Sequence, residues 1–197
     1  MSWIIGLGVV VLAVVAVLGI AQVKDEELLA EIRAEIVPEE GTETAYGIPL
    51  FLDSLPQFVE WWYTIVPSVE ADARYVDALT ALVAPCCDDN TAFRCCCETD
   101  GQACNIIRSG KGLAAHLILE HDFDTDAIRE SVLEWFRFAR SDYYLAAALE
   151  ERGIFPDPYG LTTVGSCYRS MCGVPISQGG CGGMNELIEP AIESVDS

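Results

Sequence analysis

The sequence is poor in basic residues. It contains 11 Lys plus Arg against 31 Asp plus Glu, and its only lysines are Lys24 and Lys111, so the formal net charge is −20. This charge argues against nucleic-acid binding, because a polyphosphate partner needs a positive surface that displaces its counterions. It disfavours docking on an anionic membrane surface for the same reason. The chain is not a disordered acidic tail, because 51% of its residues are hydrophobic.

The sequence also lacks the common motifs of redox and nucleotide chemistry. No two of its nine cysteines are three residues apart, so it contains no C-x-x-C. This excludes thioredoxin-type redox motifs, c-type haem attachment and zinc ribbons built on that spacing. No G-x-S-x-G, P-loop or Rossmann glycine fingerprint occurs, so there is no nucleotide or flavin signature. We assign no catalytic residue and expect a protein that is not an enzyme.

One long hydrophobic run is present at the N-terminus. Residues 3–23 contain no charged side chain and only one polar side chain, Gln22. A helix of about 20 residues spans about 30 Å, the thickness of a bilayer core. A cleaved signal peptide is the alternative, but the basic residues that usually begin one are missing. We therefore predict a single-pass transmembrane anchor over residues 1–23.

The remainder of the chain is predicted to be mainly α-helical. Leu28, Ile32 and Ile36 recur every fourth residue, which predicts an amphipathic juxtamembrane helix followed by a linker, together residues 24–48. Residues 49–153 are predicted to form a small helical domain that contains the first cysteine cluster. Residues 154–197, rich in Gly, Pro and Cys, are predicted to pack on it. The predicted fold is thus a transmembrane helix followed by a small helical domain with two cysteine-rich loops.

Within that domain the apolar spacing predicts five helices. They cover residues 58–66, 67–84, 112–120, a stretch that begins near Asp126, and residues 142–152. The second is expected to bury Val83, and Gly153 is expected to end the last in a left-handed conformation. The aromatic run from Trp61 to Tyr63 is expected to lie mainly in the core, with a membrane-interface or partner contact as the alternative.

The cysteines leave two uses open, and the two can coexist. Disulfides are the first: outside the cytoplasm, loops with little apolar area are stapled covalently, at about 2–4 kcal/mol for each bridge. All nine are candidates, with one left over: Cys86, Cys87, Cys95, Cys96, Cys97, Cys104, Cys167, Cys172 and Cys181. The second use is a thiolate site for copper or zinc. Its candidate ligands are Cys86, Cys87, Cys95, Cys96, Cys97, Cys104 and His116.

Either His116 or His121 could complete such a site, but the two are not expected to act together as an H-E-x-x-H pair. The two residues are five apart, about 140° around a helix, so they do not share a face as a H-E-x-x-H pair does.

The order of several short motifs resembles a known family. Leu55-Pro56-x-Phe58, Tyr75-x-x-Ala78, Pro85-Cys86-Cys87 and Ile128-Arg129 follow one another as in the PCYCGC-motif proteins, over residues 55–136. The family's alternating cysteines are replaced by Cys86-Cys87-Asp88-Asp89. The resemblance implies a secreted or membrane-tethered bacterial protein with a cysteine-based metal or redox role, and it carries no catalytic residue across.

The leading hypothesis from the sequence is a membrane-anchored, extracytoplasmic, cysteine-rich protein that binds copper or zinc without catalysis. The alternative is an accessory or interaction subunit of a larger membrane protein assembly, with every cysteine in a structural disulfide. The expected partners are the bilayer, through residues 3–23, and other membrane protein subunits.

Overall fold

The computed structural model describes residues 26–85, 90–95, 103–163, 174–178, 182 and 186–190. These residues form seven α-helices and no β-strand, so the described part of the fold is mainly α, as predicted. The chain divides into two compact units, Met1–Ile36 and Val37–Ser197. The predicted anchor lies outside the described residues, and none of the helices that are described is long and apolar enough to cross a bilayer.

The first unit is described over one helix, α1, residues 26–36. Ile32 is 2% exposed, and Leu28 and Ile36, four residues to either side, are partly buried. Glu31 and Arg33 are exposed. The helix therefore has one apolar face.

The second unit is built around a central helix. Its helices are α2 (Leu55–Thr64), α3 (Val66–Val69), α4 (Ala73–Thr80), α5 (Asn105–His121), α6 (Thr125–Ala139) and α7 (Ser141–Glu151). Helix α5 packs against α2, α3, α4 and α6, and residues 103–115 are buried throughout. The largest side chains around it are fully buried: Phe58, Tyr75, Trp135 and Phe136.

Two glycines allow the neighbouring helices to approach α5 closely. A Cβ atom on Gly112 would clash with the carbonyl oxygen of Phe58 and lie 2.8 Å from the amide nitrogen of Trp62, both backbone atoms of α2. A Cβ atom on Gly110 would clash with the ring of Phe136 in α6. The backbones of α2 and α5 can therefore meet only where α5 has no side chain.

The predicted single helix over residues 67–84 is wrong. Helix α3 ends at Val69, and Asp72 begins α4 by accepting a hydrogen bond from the amide of Arg74 at 2.8 Å. A carboxylate that caps a new helix competes with continuation of the previous one. After Thr80 the chain turns at Ala81, and Val83 forms an isolated β-bridge with Thr91. Leu82 and Ala84 are buried, whereas Val83, expected in the core, is 52% exposed.

The later helices agree better with the apolar spacing. Helix α6 begins after Asp124, which accepts a hydrogen bond from the amide of Ala127 at 2.9 Å, and its predicted apolar face is fully buried at Ile128, Val132, Trp135 and Phe136. Gly153 follows α7 with φ of +72°, as predicted. Helix α5, however, begins seven residues before the predicted start at Gly112.

We expect Gly112→Ala to lower the free energy of unfolding by about 3 kcal/mol. Helix propensity alone would make alanine more stable by about 1 kcal/mol. The added methyl group meets backbone atoms of α2, however, which cannot rotate away as a side chain can. Urea unfolding of the full chain measures the difference.

Gly110→Ala is the matched control. Its methyl group meets the distal end of the Phe136 ring, which can shift, so its loss should be smaller than that of Gly112→Ala. A Gly112→Ala chain as stable as the original would contradict close packing at this position.

Candidate functional site

Three consecutive aromatic residues of α2 contact two different parts of α5. Trp61, Trp62 and Tyr63 are all partly buried and pack against the core. Successive residues of a helix are about 100° apart, but the rings of Trp62 and Tyr63 still meet edge to face, with centroids 4.6 Å apart. Trp61 faces His116, Trp62 faces Arg108, and Tyr63 meets the segment near residue 188. Trp62 and Tyr63 therefore share one neighbour, Arg108, whereas Trp61 lies against His116.

Trp61 and two histidines form an aromatic stack. The rings of Trp61 and His116 are parallel, with centroids 3.8 Å apart, and the His121 ring lies 5.3 Å from that of His116. The two rings therefore meet although the residues are five apart in the helix. Side chains of a helix lean toward its N-terminus, so the ring of His121, the last residue of α5, reaches back. Burial, and then the charge of His121, lower the pKa of His116.

Two cations of α5 are buried against aromatic rings. Arg108 and Lys111 are 4% and 7% exposed. The guanidinium carbon of Arg108 lies 4.7 Å from the Trp62 ring centroid and 5.4 Å from that of Tyr63. The ammonium of Lys111 lies 5.9 Å from the ring of Phe93. Attraction between a cation and an aromatic face offsets part of the cost of burying each charge.

A cleft of about 490 Å³ opens beside these cations. Two cationic residues, Arg94 and Lys111, lie along it against one carboxylate, Glu70. The remaining lining residues are aromatic or aliphatic: Trp62, Val66, Ala71, Tyr75 and Phe93. Such a cleft can accept an anionic group that carries an apolar or aromatic portion.

The other side of Arg108 meets an extended segment near the C-terminus. Asn105 is fully buried; its Nδ2 donates to the carbonyl of Glu186 at 2.8 Å, and its Oδ1 accepts from the amide of Ile188 at 3.0 Å. Arg108 Nη1 donates to the Tyr63 hydroxyl oxygen at 2.6 Å and to the Ile188 carbonyl at 3.2 Å. The Tyr63 hydroxyl donates to that carbonyl at 3.2 Å.

Glu189 completes this arrangement. Its Oε2 lies 3.4 Å from the Tyr63 hydroxyl oxygen. Burial raises the pKa of Tyr63; the charge of Arg108 opposes the shift and that of Glu189 adds to it. The phenol therefore acts as a neutral hydrogen-bond donor at neutral pH.

Sequence reasoning did not identify these polar residues. It predicted the helix to begin only at Gly112, so residues 105–111 were assigned no helical face. The available signal was the recurrence of Asn105, Arg108 and Lys111 every three residues, which puts polar groups along one side of a helix.

Only part of the predicted cysteine and metal site lies among the described residues. Cys95 and Cys104 are buried in one hydrophobic core, with no disulfide between them. Seven predicted site residues lie outside the described residues: Cys86, Cys87, Cys96, Cys97, Cys167, Cys172 and Cys181. Within the described residues no three His, Cys, Asp or Glu side chains are grouped so as to hold a metal ion. The copper or zinc site stays a prediction.

Comparisons of the chain with known protein families, with curated proteins and with solved structures find no match. The resemblance to the PCYCGC-motif proteins stays a prediction. A functional proposal therefore depends on the contacts of the chain itself.

We expect His116 to titrate below its ordinary pKa of 6.5. His121→Gln should raise the pKa of His116, because a neighbouring positive charge is removed. The histidine ring-proton shifts of the full chain, followed by NMR against pH, measure both values.

The pH dependence of the free energy of unfolding also reports the lowered pKa of His116. The unfolded chain binds a proton at His116 at a higher pH than the folded chain, so this histidine's contribution should fall as the pH drops below 6.5. A pKa of His116 that is unchanged or lower in His121→Gln would contradict the influence of His121.

Proposed function

We propose that this chain is a non-catalytic interaction subunit of a larger membrane protein assembly. In this proposal residues 3–23 anchor it in the bilayer, and the helical domain with its cysteine-rich segments lies outside the cytoplasm. The observation that carries the proposal is the cleft beside Lys111. It is a site where positive charge and aromatic rings are concentrated on a strongly acidic chain.

The charge distribution supports a specific partner surface. Three of the 11 basic residues, Arg94, Arg108 and Lys111, lie in or beside the cleft, while the chain carries 31 acidic residues. A negative surface repels other acidic surfaces except where cations are grouped, so the grouping fixes where and how an acidic partner docks. Aromatic residues such as Trp62 and Phe93 are enriched in the centres of protein interfaces. The ligand we propose is an acidic segment of a neighbouring subunit with one apolar or aromatic side chain.

The histidines also favour a binding role over catalysis. His116 stacks on Trp61 and is half-buried, and its lowered pKa favours the neutral ring. Its nearest ring partners are Trp61 and His121, so its interactions are those of a packing residue.

Photo-crosslinking from the cleft tests this proposal. A photo-reactive amino acid at Ala71, which is exposed and lines the cleft, should give a discrete crosslink to one membrane protein in native membranes. The same amino acid at Thr80, which is exposed on α4 and does not line the cleft, is the positional control.

Lys111→Met should reduce the yield of the Ala71 crosslink about fivefold or more, because it removes a buried charge while keeping a long apolar side chain. Arg129→Met on α6 makes the same change of net charge and should leave the yield unchanged. Absence of a discrete crosslink from residue 71, or a yield insensitive to Lys111→Met, would contradict the proposal.

Cysteine-based binding of copper or zinc is a second candidate. The observation that favours it is the placement of Cys95 and Cys104, two of the proposed ligands, at 2% and 1% exposure in one core. The apolar side chains around a metal site control the access of water and the local dielectric constant.

If this second function is correct, the chain purified from its native membrane without reductant should contain about one copper or zinc ion, and Cys104→Ser should lose it. Intact mass and metal content measured on the same preparation separate the two uses of the cysteines. Four disulfides without metal would contradict the metal site and leave the interaction proposal standing.

A further inference from the structure

We propose that Asn105, Arg108 and Tyr63 form a binding site for an extended acidic peptide, and that residues 186–190 occupy it as a displaceable ligand within the same chain. We call the three residues the α5 clamp. The external ligand is a segment of a partner protein with an extended backbone, an apolar side chain at the position of Ile188 and a carboxylate at the next position.

The clamp recognises main-chain atoms. The carboxamide of Asn105 pairs with the carbonyl of Glu186 and the amide of Ile188, two residues apart in an extended segment. Arg108 and Tyr63 both donate to the Ile188 carbonyl. These backbone groups occur in every polypeptide, so a segment of another protein can make the same hydrogen bonds.

Side chains at two positions provide selectivity. Ile188 packs partly buried against the hydrophobic core. Glu189 lies 3.4 Å from the Tyr63 hydroxyl and close enough to affect its pKa, on the same side as the Arg108 cation. An apolar residue followed by a carboxylate is therefore the pattern that this surface fits.

The clamp needs an occupant. Asn105 is fully buried, and loss of its hydrogen bonds to Glu186 and Ile188 would take these partners from a donor and an acceptor inside the protein, which costs stability. A partner segment must therefore replace residues 186–190 rather than add to them.

The present occupant is held mainly by hydrogen bonds of its main chain. Glu186 is also bonded to the chain before it: its amide donates to the Gly182 carbonyl at 3.0 Å, and its Oε2 accepts from the amide of Ile176 at 2.8 Å. Residues 187–190 have neither helical nor strand structure, Glu186 and Glu189 are exposed, and Leu187 and Ile188 are only partly buried. Arg108 Nε is buried and has no hydrogen-bond partner among the described residues. A partner segment with a carboxylate placed to reach that donor gains a charge-assisted hydrogen bond that the internal segment lacks.

This inference does not depend on the cleft, which is lined by a different set of residues. A peptide that binds the clamp tests it without reference to any native partner. The clamp proposal can therefore hold if the cleft proposal fails, and the cleft proposal can hold if the clamp proposal fails.

The test uses the full chain and a fluorescent peptide with the sequence of residues 185–192, Asn-Glu-Leu-Ile-Glu-Pro-Ala-Ile. Ile188→Pro in the protein removes the amide that donates to Asn105 and should free the clamp. Fluorescence anisotropy should then show binding to Ile188→Pro at least about tenfold tighter than to the original chain. The same peptide with proline in place of its first isoleucine, which corresponds to Ile188, is the matched control and should not bind.

Two further variants locate the peptide. Asn105→Leu combined with Ile188→Pro should abolish binding, and a peptide with lysine in place of its second glutamate should bind more weakly. If Ile188→Pro loses the helical circular dichroism signal, Glu189→Lys is used in its place. We then expect the peptide to bind Glu189→Lys more tightly than the original chain.

Equal and weak binding to the original and the folded variant chain would overturn the inference. Dimerisation of Ile188→Pro without peptide binding would also overturn it, because the occupant would then be a second copy of this chain.

Discussion

The close approach of α2 and α5 at Gly112 is the constraint on which the rest of the second unit depends. Where α5 has no Cβ atom, the Phe58 carbonyl and the Trp62 amide come within contact distance of it. The same approach sets Trp62 and Tyr63 over Arg108, one helical turn before Gly112. A wider separation would remove the ring faces from the cation, so the glycine determines the geometry of both the cleft and the clamp.

The second general feature is the cost of polar groups on a central helix. Asn105, Arg108, Ser109 and Lys111 are all buried on α5. A buried charge is tolerated only when hydrogen bonds or ring faces replace its hydration. Ser109 and Asn105 meet this cost by hydrogen bonds, Ser109 accepting from Trp135 Nε1 at 2.8 Å. Arg108 and Lys111 meet it in part by the ring faces of Trp62 and Phe93.

The extent to which the sequence predicts this structure differs between α6 and α5. In α6 one apolar face is buried and the other is solvated, so Ile128, Val132 and Trp135 recur with the helical period and the helix is predictable. Helix α5 is buried on nearly every side from residue 103 to residue 115, so it has no such period. Glycines, which lower helix propensity, also occur in its middle for reasons of packing. The clamp is less predictable still, because Asn105 meets residues more than 80 positions away.

Trp62 lines the cleft and also contacts Arg108 of the clamp. The guanidinium of Arg108 in turn holds the Ile188 carbonyl. A substitution at Trp62 would therefore affect both sites and could not distinguish the two proposals. Lys111 lines only the cleft, and Asn105 contacts only the extended segment. The two proposals can be distinguished because Asn105 and Lys111 are six residues apart on α5. Arg108, which contacts the Trp62 ring, lies between them.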